Sequence, residues 1–191
     1  MLFRSSLCLG KGLGIGVLRE IAISLRDISY EQSKETLKEL ILKFNGRDRY
    51  YLEALGIGLD GKEEAFYKEV RPTWPKDPIT WSLKQEWLAW RLHPKNAVTD
   101  LQLRANAKSL SPDQRKRALT ALAFIKDKSA ALSMLELTKS PLKDVSQQAF
   151  YWVNFRKTND WQDLLNWQEA TVAQLSPAQK KMLDWQKVML D

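Results

Sequence analysis

The chain repeats itself at an offset of 31 residues. Residues 113–134 read DQRKRALTALAFIKDKSAALSM, and residues 144–165 read DVSQQAFYWVNFRKTNDWQDLL. Asp113, Ala118, Phe124 and Lys126 recur as Asp144, Ala149, Phe155 and Lys157. Leu119, Leu122 and Met134 recur as the apolar Phe150, Val153 and Leu165. In each copy the apolar spacing predicts two short helices joined by a tight break. A helix pair recurring every ~30–45 residues cannot bury its apolar face alone and stacks on its neighbours as an α-solenoid. The expected fold class is all-α: an α-α superhelix of HEAT/armadillo-like type, with about ten helices counted from apolar periods and caps. Solenoids work by shape and surface, so binding is expected before catalysis.

The rest of the chain reads as helical too. Leu18, Ile21, Ala22 and Leu25 form one i, i+3, i+4, i+7 stripe, and Leu37, Leu40, Ile41 and Phe44 form another. Asn45-Gly46 supplies a left-handed stop. Residues 48–57 follow as a helix with Tyr51, Leu52 and Leu55 inward, its end weakened by Gly56 and Gly58. Asp60-Gly61 is a turn and residues 62–70 are a short helix. Residues 71–78 (RPTWPKDP) hold three prolines, exclude a helix interior, and are the one candidate boundary. The expected organisation is therefore a leader over 1–16, a helical pack over 17–70, a linker over 71–78 and repeats over 79–191. Asp77 is expected to cap the next helix, with Pro78 in its first turn. Further starts are read at Ser111-Pro112-Asp113-Gln114 and at Ser176-Pro177-Ala178-Gln179, both capping boxes, and at Ser140-Pro141. Ala178, Met182, Trp185 and Met189 give a last helix its apolar face.

Composition removes several chemistries. One Cys excludes an internal disulfide and a thiolate zinc site, and one His excludes a site needing two imidazoles. There is no Cys-x-x-Cys-His, so no c-type haem attaches covalently here, and no cofactor or metal is expected. The net charge of +7 admits an anionic partner, but the basic residues are dispersed and their densest run is Arg115-Lys116-Arg117. A solvated surface is the plainer reading, and a nucleic-acid partner is not expected. No run of about 18 apolar residues is present to span a membrane. Arg4 with Leu7-Cys8-Leu9 hints at a signal or lipoprotein leader, but Lys11 interrupts the apolar stretch.

Few residues suggest a site. Glu31, Glu35, Glu63 and Glu64 fall on polar helix faces, where carboxylates are solvated. His93 stands at a helix end before Pro94, where a cationic ring would favour the C-terminal dipole. Most of the eight Trp sit at helical spacing beside Leu and are core; Trp74, in the proline segment, is expected to be the exposed one. Arg47, Asp48 and Arg49 cluster at a helix start, with Asp48 as its cap. The candidate interaction surface is therefore Arg47, Asp48, Arg49, Trp74 and His93, with no catalytic residue among them.

Two stretches carry a family resemblance. Residues 45–66 (NGRDRYYLEALGIGLDGKEEAF) and 88–99 (LAWRLHPKNAVT), with residues 19–27 (REIAISLRD) as the helix before them, resemble the HEAT-repeat-like helical domain of large secreted bacterial proteins, the PVC-type haem-binding proteins. In that family a β-propeller resembling sugar dehydrogenases precedes the helical domain, and a c-type cytochrome domain follows it. The resemblance implies a middle module with no haem and no dehydrogenase centre of its own. It also implies a periplasmic or secreted location, and neighbouring domains or another protein as partners. Two rival readings stand beside it. One is a nucleic-acid-binding HEAT-like protein of DNA-glycosylase type, which needs a Lys/Arg stripe with an Asp and aromatics at its centre. The other is an enzyme using two close carboxylates in a deep pocket.

Overall fold

The computed structural model describes residues 12–173. The expected leader up to Lys11, including Cys8, and the expected last helix with its Ser176 cap lie outside the described residues. Among those residues there are ten α-helices and no strand. They are α1 (Ile15–Ser24), α2 (Tyr30–Lys43), α3 (Arg49–Gly58), α4 (Glu63–Val70), α5 (Leu83–Leu92), α6 (Val98–Ala105), α7 (Pro112–Phe124), α8 (Lys128–Leu137), α9 (Lys143–Arg156) and α10 (Trp167–Ala173). Single 3₁₀ turns occupy Arg71–Thr73, Pro78–Thr80 and Lys95–Ala97. The all-α expectation holds among the described residues.

Caps place most of the starts. Asp48 accepts from the Tyr51 amide at 2.9 Å and opens α3. Ser111 and Gln114 close a reciprocal capping box at α7. Asp77 does cap, but over the single 3₁₀ turn Pro78–Thr80, with the Ile79 amide donating at 2.9 Å. The helix proper begins at Leu83 under a second capping box, Ser82 with Gln85. Ser140 accepts from the Leu142 amide at 3.2 Å, so α9 starts at Lys143.

The repeat is not symmetrical. Its first copy is the helix pair α7 and α8, and its second is α9 followed by turns over residues 157–166. In the first copy Asp127 caps α8 through the Ser129 amide at 2.8 Å. In the second, Thr158 and Asn159 turn back instead, donating to the Phe155 carbonyl at 3.1 and 2.7 Å. Without that cap no second helix starts, and Trp161 fills the space by burying its whole side chain and donating to the Ile125 carbonyl at 2.9 Å. Leu119 is 1% exposed but its counterpart Phe150 is 64% exposed. The difference follows from packing: α7 lies against α5, α6, α8 and α9, whereas α9 lies against α7 and α8 alone among the described helices with extensive contact.

Odd-numbered helices touch in succession, α1 on α3, α3 on α5, α5 on α7 and α7 on α9. Even-numbered helices do the same through α2 on α4 and α6 on α8, with the Lys95–Ala97 turn joining α4 to α6. Buried apolar residues fall into two clusters. One is built by α1 to α4 with Leu88 and Leu92 of α5, and the other by Tyr67, Trp81, Ala89 and the helices from α6 onward. Thus α5 serves both. Trp74 also lies against both clusters. Its expected exposure is overturned: it is half-buried, edge-on to Tyr67 at 5.6 Å and to Trp81 at 5.1 Å. Arg71 holds it there by donating to the Pro75 and Lys76 carbonyls, each at 3.0 Å, while it pairs with Asp100 at 2.6 Å.

The most specific stretch of the sequence is spent on packing. A Cβ at Gly58 would overlap the Ala22 carbonyl oxygen, so α1 and α3 cross at backbone contact. Tyr51 is buried and donates to the Leu40 carbonyl at 2.7 Å. Burial pushes its phenol up to about 12. Lys62 is buried as well, and its ammonium donates to the carbonyls of Leu25 (2.6 Å), Arg26 (2.8 Å) and Gly58 (2.8 Å). It satisfies the chain just past α1 and the last residue of α3 together, where orphan carbonyls collect.

Candidate functional site

The site is built by the loop between α2 and α3. Asn45 Oδ1 accepts from the amides of Arg47 (2.8 Å) and Asp48 (3.2 Å), closing a tight turn. Gly46 takes φ 81°, and a Cβ there would press on the Lys84 amide at the start of α5. This contact seats the α3 N-terminus on α5 and directs Arg49 across it. The Arg49 guanidinium carbon lies 4.4 Å from the Trp90 ring centre and 5.7 Å from that of Trp87. Arg117 of α7 lies 4.0 Å from the Trp87 ring. The two indoles meet edge-on at 5.4 Å. The result is a stack across three helices in which guanidiniums cover indole faces.

Carboxylates fix the guanidiniums. Glu53 bridges Arg49 and Arg91, with 2.6 Å on each side. Beneath the stack Glu86 is 3% exposed by side chain and pairs with both Arg104, at 2.6 Å, and Arg117. Gln114 also donates to Glu86, at 2.6 Å. Burial lowers the Arg104 pKa and Glu86 opposes that shift, so this interior cluster carries two cations on one anion. A groove of about 260 Å³ opens beside the stack, lined by Phe44, Gly46, Arg47, Asp48, Arg49, Leu52, Leu83 and Trp87.

A second region adjoins it at the C-terminus of α5. His93 sits there in the left-handed conformation, φ 30° and ψ 54°, with Nδ1 3.3 Å from the Trp90 carbonyl oxygen. The expected helix-end placement is found, but burial pushes the imidazole below its usual 6.5 and the ring is neutral at pH 7. It therefore packs, 6.0 Å from the Phe124 ring, and brings no cation to the dipole. Two recesses of about 250 and 220 Å³ meet at His93 and Phe124. Glu63 and Glu64 line the first, and Glu64 is occupied as a backbone cap, accepting from the Lys95 and Asn96 amides. Phe124 leads on to Trp152 at 5.9 Å and to Arg156, whose guanidinium carbon lies 4.3 Å from its ring.

The structure therefore brings Arg47, Asp48, Arg49 and His93 onto the row of odd-numbered helices, and seats Trp74 half-buried between Tyr67 and Trp81. Sequence reasoning did not single out Trp87, Trp90, Arg91, Arg117 and Phe124 as members of this site. Trp87 and Trp90 carry an ordinary core signal, and their pairing with Arg49 and Arg117 spans distances in sequence that no local pattern reports. Among the described residues no three His, Cys, Asp or Glu gather as metal ligands. The chemistry on offer is recognition. A guanidinium held over an indole keeps the N–H fork that fits carboxylate or phosphate.

Comparison with known proteins finds no matching family model, no matching curated protein and no matching solved structure.

Proposed function

We propose that this chain is a non-catalytic α-solenoid module of HEAT-like type that holds a partner along the row of its odd-numbered helices. The observation that carries the reading is that row itself. From α7 to α9 it exposes aromatic rings, among them Phe124 at 52%, Tyr151 at 55% and Phe155 at 47%, and from α3 to α7 it carries Arg49, Arg91 and Arg117. Scattered exposed apolar residues need no explanation, but rings that continue from helix to helix through shared contacts are the usual form of a docking face. The solenoid part of the reading is supported by polar contacts that recur about one repeat apart. Lys38–Glu69, Arg117–Glu86 and Ser133–Gln102 each join residues 31 positions apart, and Arg115–Asp144 and Gln102–Glu136 join residues 29 and 34 apart. Contacts confined to the neighbouring unit are what stacked repeats produce.

The family resemblance of residues 45–66 makes the partner a neighbouring domain, or another protein, in a larger periplasmic or secreted assembly with dehydrogenase-like and cytochrome c domains. A DNA-glycosylase-like binder fits the row less well. Guanidiniums lie over Trp87 and Trp90 where bases would stack, and Glu53, the α3 carboxylate beside them, is tied to two arginines. The test is to express the chain with the segments its gene encodes on either side. Phe124→Glu on the row should release a flanking domain from it, while Leu103→Glu, at an exposed position of α6, should not. Equal effects of both, or a gene with no flanking domain and no partner sensitive to Phe124, would refute the reading.

A further inference from the structure

We infer that the groove beside the guanidinium–indole stack recognises the carboxylates of an acidic, extended polypeptide segment. The inference rests on the module reading and adds the chemistry of the partner. Arg47 is exposed and makes no ion pair among the described residues. Arg49 is half exposed, gives one nitrogen to Glu53, and holds its guanidinium over Trp90, 4.4 Å from the ring centre. Stacking removes the rotational freedom that usually weakens an exposed arginine, so its remaining donors are positioned before a ligand arrives.

The acidic side chains near the groove are already committed. Asp48 caps α3, Glu53 bridges Arg49 and Arg91, and Glu86 is buried between Arg104 and Arg117. Arg47 and Arg49 line the groove beside Asp48, and Arg91, Arg104 and Arg117 stand behind it against Glu53 and Glu86. The excess is positive on a chain that carries +7 overall. Leu83, 43% exposed, and the Trp87 edge give the groove an apolar wall, so an aliphatic side chain can rest there while flanking carboxylates meet Arg47 and Arg49. A single-stranded nucleic acid would need indole faces for its bases, and guanidiniums occupy those faces at 4.0 and 4.4 Å. Acidic peptide is therefore favoured over nucleic acid.

The test titrates the full chain with fluorescein-labelled oligoglutamate at low salt, followed by anisotropy. Oligoglutamine and an oligothymidylate of equal charge are run in parallel. Oligoglutamate should bind, oligoglutamine should not, and affinity should fall as salt is raised. Arg47→Gln and Arg49→Gln should each weaken binding about tenfold, and Arg49→Lys should fall between, since Lys keeps charge but loses the fork. Arg26→Gln removes the same charge beside Asp60, away from the groove, and should leave affinity unchanged. Arg47 has no ion pair to lose, so its variant stays folded, which circular dichroism checks. The inference is overturned if oligoglutamate does not bind, if Arg26→Gln weakens it as much as Arg49→Gln, or if oligothymidylate binds more tightly through the same arginines. Loss of this inference alone would leave the Phe124-dependent docking of a flanking domain intact, and loss of the module reading would abolish that docking too.

Discussion

Replacing Lys62 by Met should cost about 2–4 kcal/mol of unfolding free energy. The residue is 8% exposed, and its ammonium donates to three carbonyls at 2.6–2.8 Å. A hydrogen bond to a charged group contributes about 1.5–3 kcal/mol net, so three of them set a ceiling well above the expected loss. Two terms bring the figure down. Burying an ammonium is itself unfavourable, which is why its pKa lies below 10.5, and the Leu25 and Arg26 carbonyls can turn to water when the amine is gone. Methionine keeps the apolar stem, so packing against α1 and α3 is preserved. For a chain of this size each kcal/mol moves the melting point by about 2–4 °C, so the variant should melt roughly 4–16 °C lower. Urea unfolding followed by far-ultraviolet circular dichroism, with an unchanged m-value, is the measurement. A variant within about 0.5 kcal/mol of the parent, or more stable than it, would show that desolvation outweighs the three bonds, and the double-capping account would fail.

Gly58→Ala gains about 1 kcal/mol in helix propensity but forces α1 away from α3, and a net loss of roughly 1–3 kcal/mol is expected on thermal melting. Glu86→Gln leaves the buried Arg104 and the half-buried Arg117 without their anion and should destabilise by about 3–5 kcal/mol in urea; a change below about 1 kcal/mol would mean water already reaches the pair. His93 has a folded pKa below its ordinary 6.5, so its contribution is fully present above pH 6.5 and is lost as pH falls through the lower, folded value. His93→Asn, which tolerates the left-handed conformation, should therefore lose less stability than the parent between neutral and mildly acidic pH, and parallel pH profiles would refute the shift.

Local order was legible because its causes are local. The Ser111–Gln114 box and the Asp48 cap are read from residues three apart, and the structure has both. The Asp77-Pro78 signal was real but controls one 3₁₀ turn, since Ser82 and Gln85 compete for the start of α5 and win it. The second repeat copy fails to make its second helix because Thr158 and Asn159 bond back to Phe155, a choice that apolar spacing does not register. Gly56 and Gly58 read as helix weakeners, yet both are packing contacts: a Cβ at Gly56 would overlap the Arg91 guanidinium.

By itself the sequence determined that this chain is helical, roughly where its helices begin, and which faces are apolar, because hydrogen bonds and side-chain neighbours within a helix lie three or four residues apart. The tertiary structure decided what those faces meet. Trp74 is held half-buried against both clusters because Arg71 reaches Asp100, 29 residues on. Trp87 is only half-buried against the core and is capped by Arg49 and Arg117, which arrive from two other helices. His93 is neutral because Phe124 and its surroundings remove it from water. Each of these depends on pairings between elements far apart in the chain, and the free energy that selects them comes from the packing of the whole rather than from any stretch of residues.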